Sequence, residues 1–144
     1  MPMIDIYAVR GTFPDPQRVA ADAAAIVMTV EQVPDIALFR QNTCAFVHEL
    51  DPNSMADVDG SSQHVRVQVL TNAGALDRDK QLAVTSRLTD LVVDAAGEPN
   101  LRERTWVLLT EAPDGGWGLS GHAYTNAELV QEARRQLSHD EPAN

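Results

Sequence analysis

The sequence predicts an α+β protein built from two consecutive β-α-β repeats, whose four strands form one sheet with two helices on one face. Three observations carry this reading: strand-like and helix-like patterns recur at a near-constant offset, each helical segment has one apolar stripe, and the length suits a single domain. The chain has 144 residues, against roughly 150 for one domain. Hydrophobic residues make up 44% and charged residues 22%, a globular balance that excludes a disordered or fibrous chain. A domain of this size buries about two-thirds of its unfolded surface, so its core needs no metal or disulfide staple.

The first strand is read from Ile4, Ile6 and Ala8, which alternate with Asp5 and Tyr7 up to Gly11. Sixty-three residues later, Val67, Val69 and Thr71 alternate with Gln68 and Leu70 up to Gly74. A helix follows each turn, with apolar positions Val19, Ala23, Ile26, Val27 and Val30 in one half and Val84, Leu88, Leu91, Val92 and Ala95 in the other. Both sets have the spacing 0, 4, 7, 8, 11, which places them on one buried face of an amphipathic helix. Pro34 and Pro99 fall near the helix ends, and second β-rich runs follow from Thr43 to Glu49 and from Thr105 to Glu111. A crossover helix makes the two strands of each half parallel and the connection right-handed.

The polar segment Asp51 to Gln63 joins the halves. The single domain over 1–144 therefore divides into repeat one (about 2–50), a linker (about 51–63), repeat two (about 64–124) and a C-terminal helix with a tail (125–144). Neither half supplies a second helical layer, so one face of the sheet stays bare. Other copies of the chain cover it most economically, which predicts a homo-oligomer. Asp114 to Gly121 reads as a glycine-rich hairpin. From Thr125, an N-cap with Glu128 three residues on, a short helix runs through Arg134 and Arg135 into an acidic tail that is expected to fray.

Composition narrows the partners. A net charge of −10 repels phosphate backbones and anionic lipids, so neither nucleic acid nor membrane is expected as a partner. Cys44 is the sole cysteine, which rules out an intramolecular disulfide and any CxxC motif. The four histidines, His48, His64, His122 and His139, lack zinc-finger spacing, and no phosphate loop or dinucleotide GxGxxG follows a strand. No metal or cofactor is expected. The start of the chain has no basic-then-apolar leader pattern, and the expected location is cytoplasmic.

Pro2 is the sharpest chemical signal. Methionine is normally trimmed before a small second residue, which would leave a proline secondary amine at the start of the first strand. An α-amino group titrates near ~8, and burial lowers that value, so part of the amine would be free base at neutral pH. Such an amine can carry a proton or form an iminium with a carbonyl.

With Met1-Pro2 opening a strand that ends at Gly11, paired β-α-β units, and Trp106-Val107-Leu108-Leu109-Thr110-Glu111 leading into Gly116-Trp117-Gly118-Leu119-Ser120-Gly121, the chain resembles the tautomerase superfamily. That group includes 4-oxalocrotonate tautomerase, macrophage migration inhibitory factor, malonate semialdehyde decarboxylase and the chloroacrylic acid dehalogenases. The segment from Val65 to Gly121 resembles one whole 4-oxalocrotonate tautomerase subunit, and the first half a diverged copy, so the resemblance is to the fused two-repeat type. It implies a mixed sheet, with the first strands of the repeats antiparallel, a homotrimer, and Pro2 as general acid and base facing Asn72. Val65 stands where the second repeat would carry a proline, so one site per chain follows. Trp106 and Trp117 match the family's pocket aromatics, although both equally suit a core or an interface.

Departures from the family pattern bear on the substrate. The arginine expected after the strand-ending glycine is Thr12 in one repeat and Ala75 in the other. A second family arginine is replaced by Cys44 and Trp106, and the dehalogenase arginine pair by Asn72 and Ala75. Leu119 stands in place of the dehalogenases' water-activating acid. Arg10, Arg40 and Arg66 remain as carboxylate anchors, or else are solvated strand-edge and loop arginines. The expected activity is a cofactor-independent keto-enol tautomerase acting on a 2-keto acid or related enol, with a small carbonyl or enol substrate. The alternatives are Pro2-dependent lyase, hydratase, dehalogenase or decarboxylase chemistry, or a non-catalytic trimer.

Overall fold

The computed structural model of the chain describes residues 1–140, so the expectation of a frayed tail falls partly outside the described residues. The first repeat comprises β1 (Met3–Val9), α1 (Pro16–Glu31), a short α2 (Ala37–Gln41) and β2 (Cys44–Leu50). The second comprises β3 (Val65–Asn72), α3 (Arg78–Ala96), a 3-10 turn (Pro99–Arg104) and β4 (Thr105–Ala112). A hairpin of β5 (Trp117–Leu119) and β6 (His122–Tyr124) and a final helix α4 (Asn126–Asp140) follow.

Both long helices start by the same device. The Asp15 carboxylate accepts from the Arg18 N–H at 3.0 Å and that of Asp77 from the Lys80 N–H at 2.9 Å, so an Asx cap satisfies an orphan donor of each first turn. Pro16 at the first position of α1 has no N–H to satisfy. Gly11 and Gly74, the strand-ending glycines of the repeats, have φ of +89° and +74°, a region that strains any side chain. The same turn is thus built twice, 63 residues apart.

The sheet order is β2-β1-β3-β4. β1 pairs parallel with β2 and β3 parallel with β4, as the crossover helices require. β1 and β3 pair antiparallel, with Met3 opposite Leu70 and Tyr7 opposite Arg66. One face carries Ile4, Ile6, Ala8, Val65, Val67 and Val69 against Val19, Ala23 and Val27 of α1 and Val84, Leu88 and Val92 of α3. The apolar stripes read from the sequence are these contacts. Ile26, Leu91 and Ala95, at the stripe edges, are partly buried and pack on the same core.

Among the described residues the opposite face has no helical layer. Phe46, Trp106 and Leu108 stand exposed on it, and the Tyr7 ring stacks on His48 at 4.4 Å. His48 Nε2 lies 2.6 Å from Asp5 Oδ1. Among the described residues no helix is long and apolar enough to cross a membrane, and no group of three or more His, Cys, Asp or Glu side chains gathers to hold a metal ion.

The structure adds to the sequence reading in three places. α2 has five residues, too few for a helical period to register, and it forms because Ile36 and Leu38 bury against the start of β1. β2 starts at Cys44 rather than Thr43, where the Cys44 N–H first reaches the Pro2 carbonyl, at 3.2 Å. α4 extends to Asp140, past the expected Arg135; Leu129 and Ala133 dock its inner face on that same cluster, and beyond Arg135 the Gln136 side chain accepts from the Leu38 N–H. Replacing Leu88, 1% exposed in the core, with Ala is expected to cost about 2–5 kcal/mol in denaturant unfolding. Leu82→Ala on the outer face of α3, 52% exposed, should stay within about 0.5 kcal/mol of the parent.

Candidate active site

The site forms at the start of β1, where three elements converge. Met1 and Pro2 are fully buried there. Met1 packs with Ile36 and Leu38 of the α2 segment, Trp117 of β5, and Leu129 and Ala133 of α4. Strand pairing on both sides fixes the backbone, since the Pro2 carbonyl accepts from Cys44 and Met3 is paired with Leu70. Continuing that antiparallel register by two residues brings Met1 opposite Asn72.

A buried carboxylate faces this terminus. Glu31, the last residue of α1, is 6% exposed, and its Oε2 lies 3.4 Å from the N-terminal nitrogen. Burial lowers the pKa of the ammonium below its ordinary value, and the attraction of Glu31 only partly opposes this. Burial likewise raises the Glu31 carboxyl above the usual range, against the pull of the ammonium and of Lys80. Desolvation opposes the charged form of both groups and is the larger effect on each. Lys80 Nζ also donates to the Glu31 carbonyl at 3.0 Å, where a cation complements the C-terminal end of the α1 dipole.

A mostly apolar cleft of about 480 Å³ opens beside this pair, lined among others by Met1, Glu31, Asn72, Phe39, Leu129 and Arg134. α4 forms one wall and is held in place at both ends. The Thr125 hydroxyl accepts from the Glu128 N–H at 3.2 Å while the Glu128 carboxylate accepts from the Thr125 N–H at 2.7 Å, the reciprocal capping box read from the sequence. Those bonds, with His122, hold the Glu128 carboxyl below the usual range. Further along α4, Gln136 Oε1 accepts from the Leu38 N–H at 3.1 Å.

Of the residues singled out in the sequence, the chain brings Pro2, Asn72 and Trp117 to this end. Trp106 lies elsewhere: it pairs with Arg66, which pairs with Tyr7, four residues beyond Met3, or about 13 Å along the strand. There it packs on His64 at 4.6 Å between ring centres. Arg10 sits past the other end of β1, in a separate cleft of about 280 Å³ with Thr12, His64 and Glu98. Arg40 is exposed and paired with Asp35 at 2.9 Å, and Arg66 donates to Gln68 and lies over the Tyr7 ring. His48 and His122 hold Asp5 and Glu128 respectively.

Glu31 escaped the sequence reading. Its signal was there: positions 19, 23, 27 and 31 form one i, i+4 series, so a carboxylate continues the buried stripe of α1. A charge on an apolar stripe is buried beside a partner or marks the stripe's end, and only the fold distinguishes the two.

The sequence model of the family described as tautomerase enzyme matches residues 64–127, which is the second repeat with its closing hairpin. No curated protein sequence matches the chain. Among solved structures, an asymmetric trimer of the F6 fused 4-OT superposes with a TM-score of 0.71 at 14% identity, over 88% of this chain and 98% of the other. N1, a member of the cis-3-chloroacrylic acid dehalogenase family, gives 0.63 at 18% identity, over 95% and 99% of the two chains. Macrophage migration inhibitory factor from Oncomelania hupensis gives 0.71 at 16% identity, over the whole of both. At these identities the likeness is one of fold. Thr125→Ala is expected to cost about 1 kcal/mol by removing the α4 cap, and faster amide hydrogen exchange confined to α4 would register the loosened wall.

Proposed function

For a chain of the fused two-repeat tautomerase type, by sequence in its second half and by fold throughout, we propose keto-enol tautomerase activity on a 2-keto acid or related enol, with Pro2 as the proton carrier once Met1 is removed. The observation that carries this reading is the burial of the first residues in an apolar cluster beside a substrate-sized cleft. The Pro2 nitrogen, released as a secondary amine, takes the enol hydroxyl proton and returns a proton to carbon. Apolar surroundings keep a share of that amine unprotonated near neutral pH. The Asn72 side chain, at the cleft wall, donates a hydrogen bond to the oxygen on which negative charge develops. Trp117, behind Met1 in the cluster, keeps water from the reacting atoms.

The same proposal includes a homotrimer. Phe46 at one edge of the uncovered sheet face and Trp106 and Leu108 at the other are exposed apolar side chains, which a second copy of the chain would cover, and the F6 fused 4-OT named above is a trimer. Trp106, about 17 Å along the strand from its own chain's Pro2, reaches a site only across such an interface.

Pro2→Ala is expected to lower kcat/KM for phenylenolpyruvate by about 10²–10⁴, the contribution of a positioned acid-base group, with the oligomer unchanged by light scattering. Equal turnover in that variant would sink the mechanism. The double variant Trp106→Glu, Leu108→Glu should dissociate the oligomer, since it places carboxylates on the face that the trimer would bury.

A further inference from the structure

The space around Met1 carries information about what replaces it. The Met1 side chain fills an apolar recess walled by Ile36, Leu38, Trp117, Leu129 and Ala133. Removal of Met1 turns that recess into a cavity with the Pro2 nitrogen at its floor. That nitrogen is three bonds from the Met1 nitrogen, so the Glu31 carboxyl lies at most about 7 Å from it.

Resting on the reading of Pro2 as proton carrier, we propose that Glu31 is the positioning partner of the Pro2 amine and, with this recess, selects carbonyl compounds that present an uncharged apolar group to it. A carboxylate entering the recess would lie against Glu31, a like charge in a low-dielectric setting. The cations near Glu31 relieve this for one substrate carboxylate at most. Lys80 of α3 donates to the Glu31 carbonyl, and Arg134 of α4, which lines the same cleft as Glu31, is one cation and can pair with one substrate carboxylate. An aromatic 2-keto monoacid therefore fits with its ring in the recess and its carboxylate toward Arg134 in the cleft. A dicarboxylate has no uncharged end to offer.

The second consequence concerns protonation. An ionised Glu31 stabilises the ammonium and raises the pKa of the amine against the burial that lowers it. For an amine acting as base, kcat/KM rises with pH as the ammonium loses its proton. Removing the carboxylate lowers the amine pKa, so this acid limb should move to lower pH.

The test compares untagged wild type, Glu31→Gln and Pro2→Ala on phenylenolpyruvate and 2-hydroxymuconate across pH. In Glu31→Gln the acid limb is expected about one pH unit or more lower, and the ratio of kcat/KM for the dicarboxylate over the aromatic substrate at least about tenfold higher, as charge repulsion is removed. Glu31→Asp, which keeps the charge, should retain the wild-type ratio. An unmoved acid limb and ratio in Glu31→Gln, with Pro2→Ala inactive, would overturn the role of Glu31 and leave the Pro2 reading standing. Full activity in Pro2→Ala would overturn the Pro2 reading itself. Should Glu31→Gln fail to fold, the ¹⁵N titration of Pro2 in wild type decides. Two coupled steps are expected, whereas a single step with no response to the carboxyl overturns the pairing.

Discussion

Because β1 and β3 run antiparallel, with Met3 opposite Leu70, each repeat's first strand begins beside the turn that ends the other's. The pairing joins two half-sheets into one, since each repeat alone has only two parallel strands and one helix. It also creates two equivalent sheet ends, each combining a strand start, a glycine turn and the end of a long helix. One end holds Pro2, Asn72 and Glu31; the other holds Val65, Arg10, Thr12 and Glu98. Everything specific about the candidate site lies in how the first end departs from the second.

Two departures matter physically. α4 and the β5-β6 hairpin cover only the first end, contributing Leu129, Ala133 and Trp117 to its cluster, and so they remove the terminal nitrogen from water. The long helix at that end finishes in a buried carboxylate. Burying two charges together costs stability more often than it adds any, and an apolar side chain in place of Glu31 would continue the α1 stripe. Glu31 lies beside the cleft, and burial opposes the charged forms of both the carboxyl and the terminal amine.

The second end shows the same scaffold under different demands. His64 there is tied to Asp57 at 2.8 Å and packed on Trp106, and among the described residues no helix corresponding to α4 covers it. Its cleft is smaller, about 280 Å³ against about 480 Å³. The two halves have kept their turns and helix caps and differ where side chains meet the outside.

Much of this was legible in the sequence because it is local. Alternation in the strands, the 0, 4, 7, 8, 11 stripes, the strand-ending glycines and the Thr125–Glu128 capping box each depend on residues within a few positions of one another, and periodicity or hydrogen-bond reach determines them. The β-α-β repeat was readable in the same way, and the antiparallel joining of the halves followed from the family resemblance. Glu31 was not readable: its meaning depends on a nitrogen 30 residues away in sequence, brought close by a helix crossing the sheet. The short α2 and the reach of α4 likewise come from docking onto a cluster assembled from distant segments. Residue spacing determined the elements and their buried faces; only the tertiary structure decided which of them share one desolvated end, because burial and charge proximity are properties of the assembled space around a group and not of the chain on either side of it.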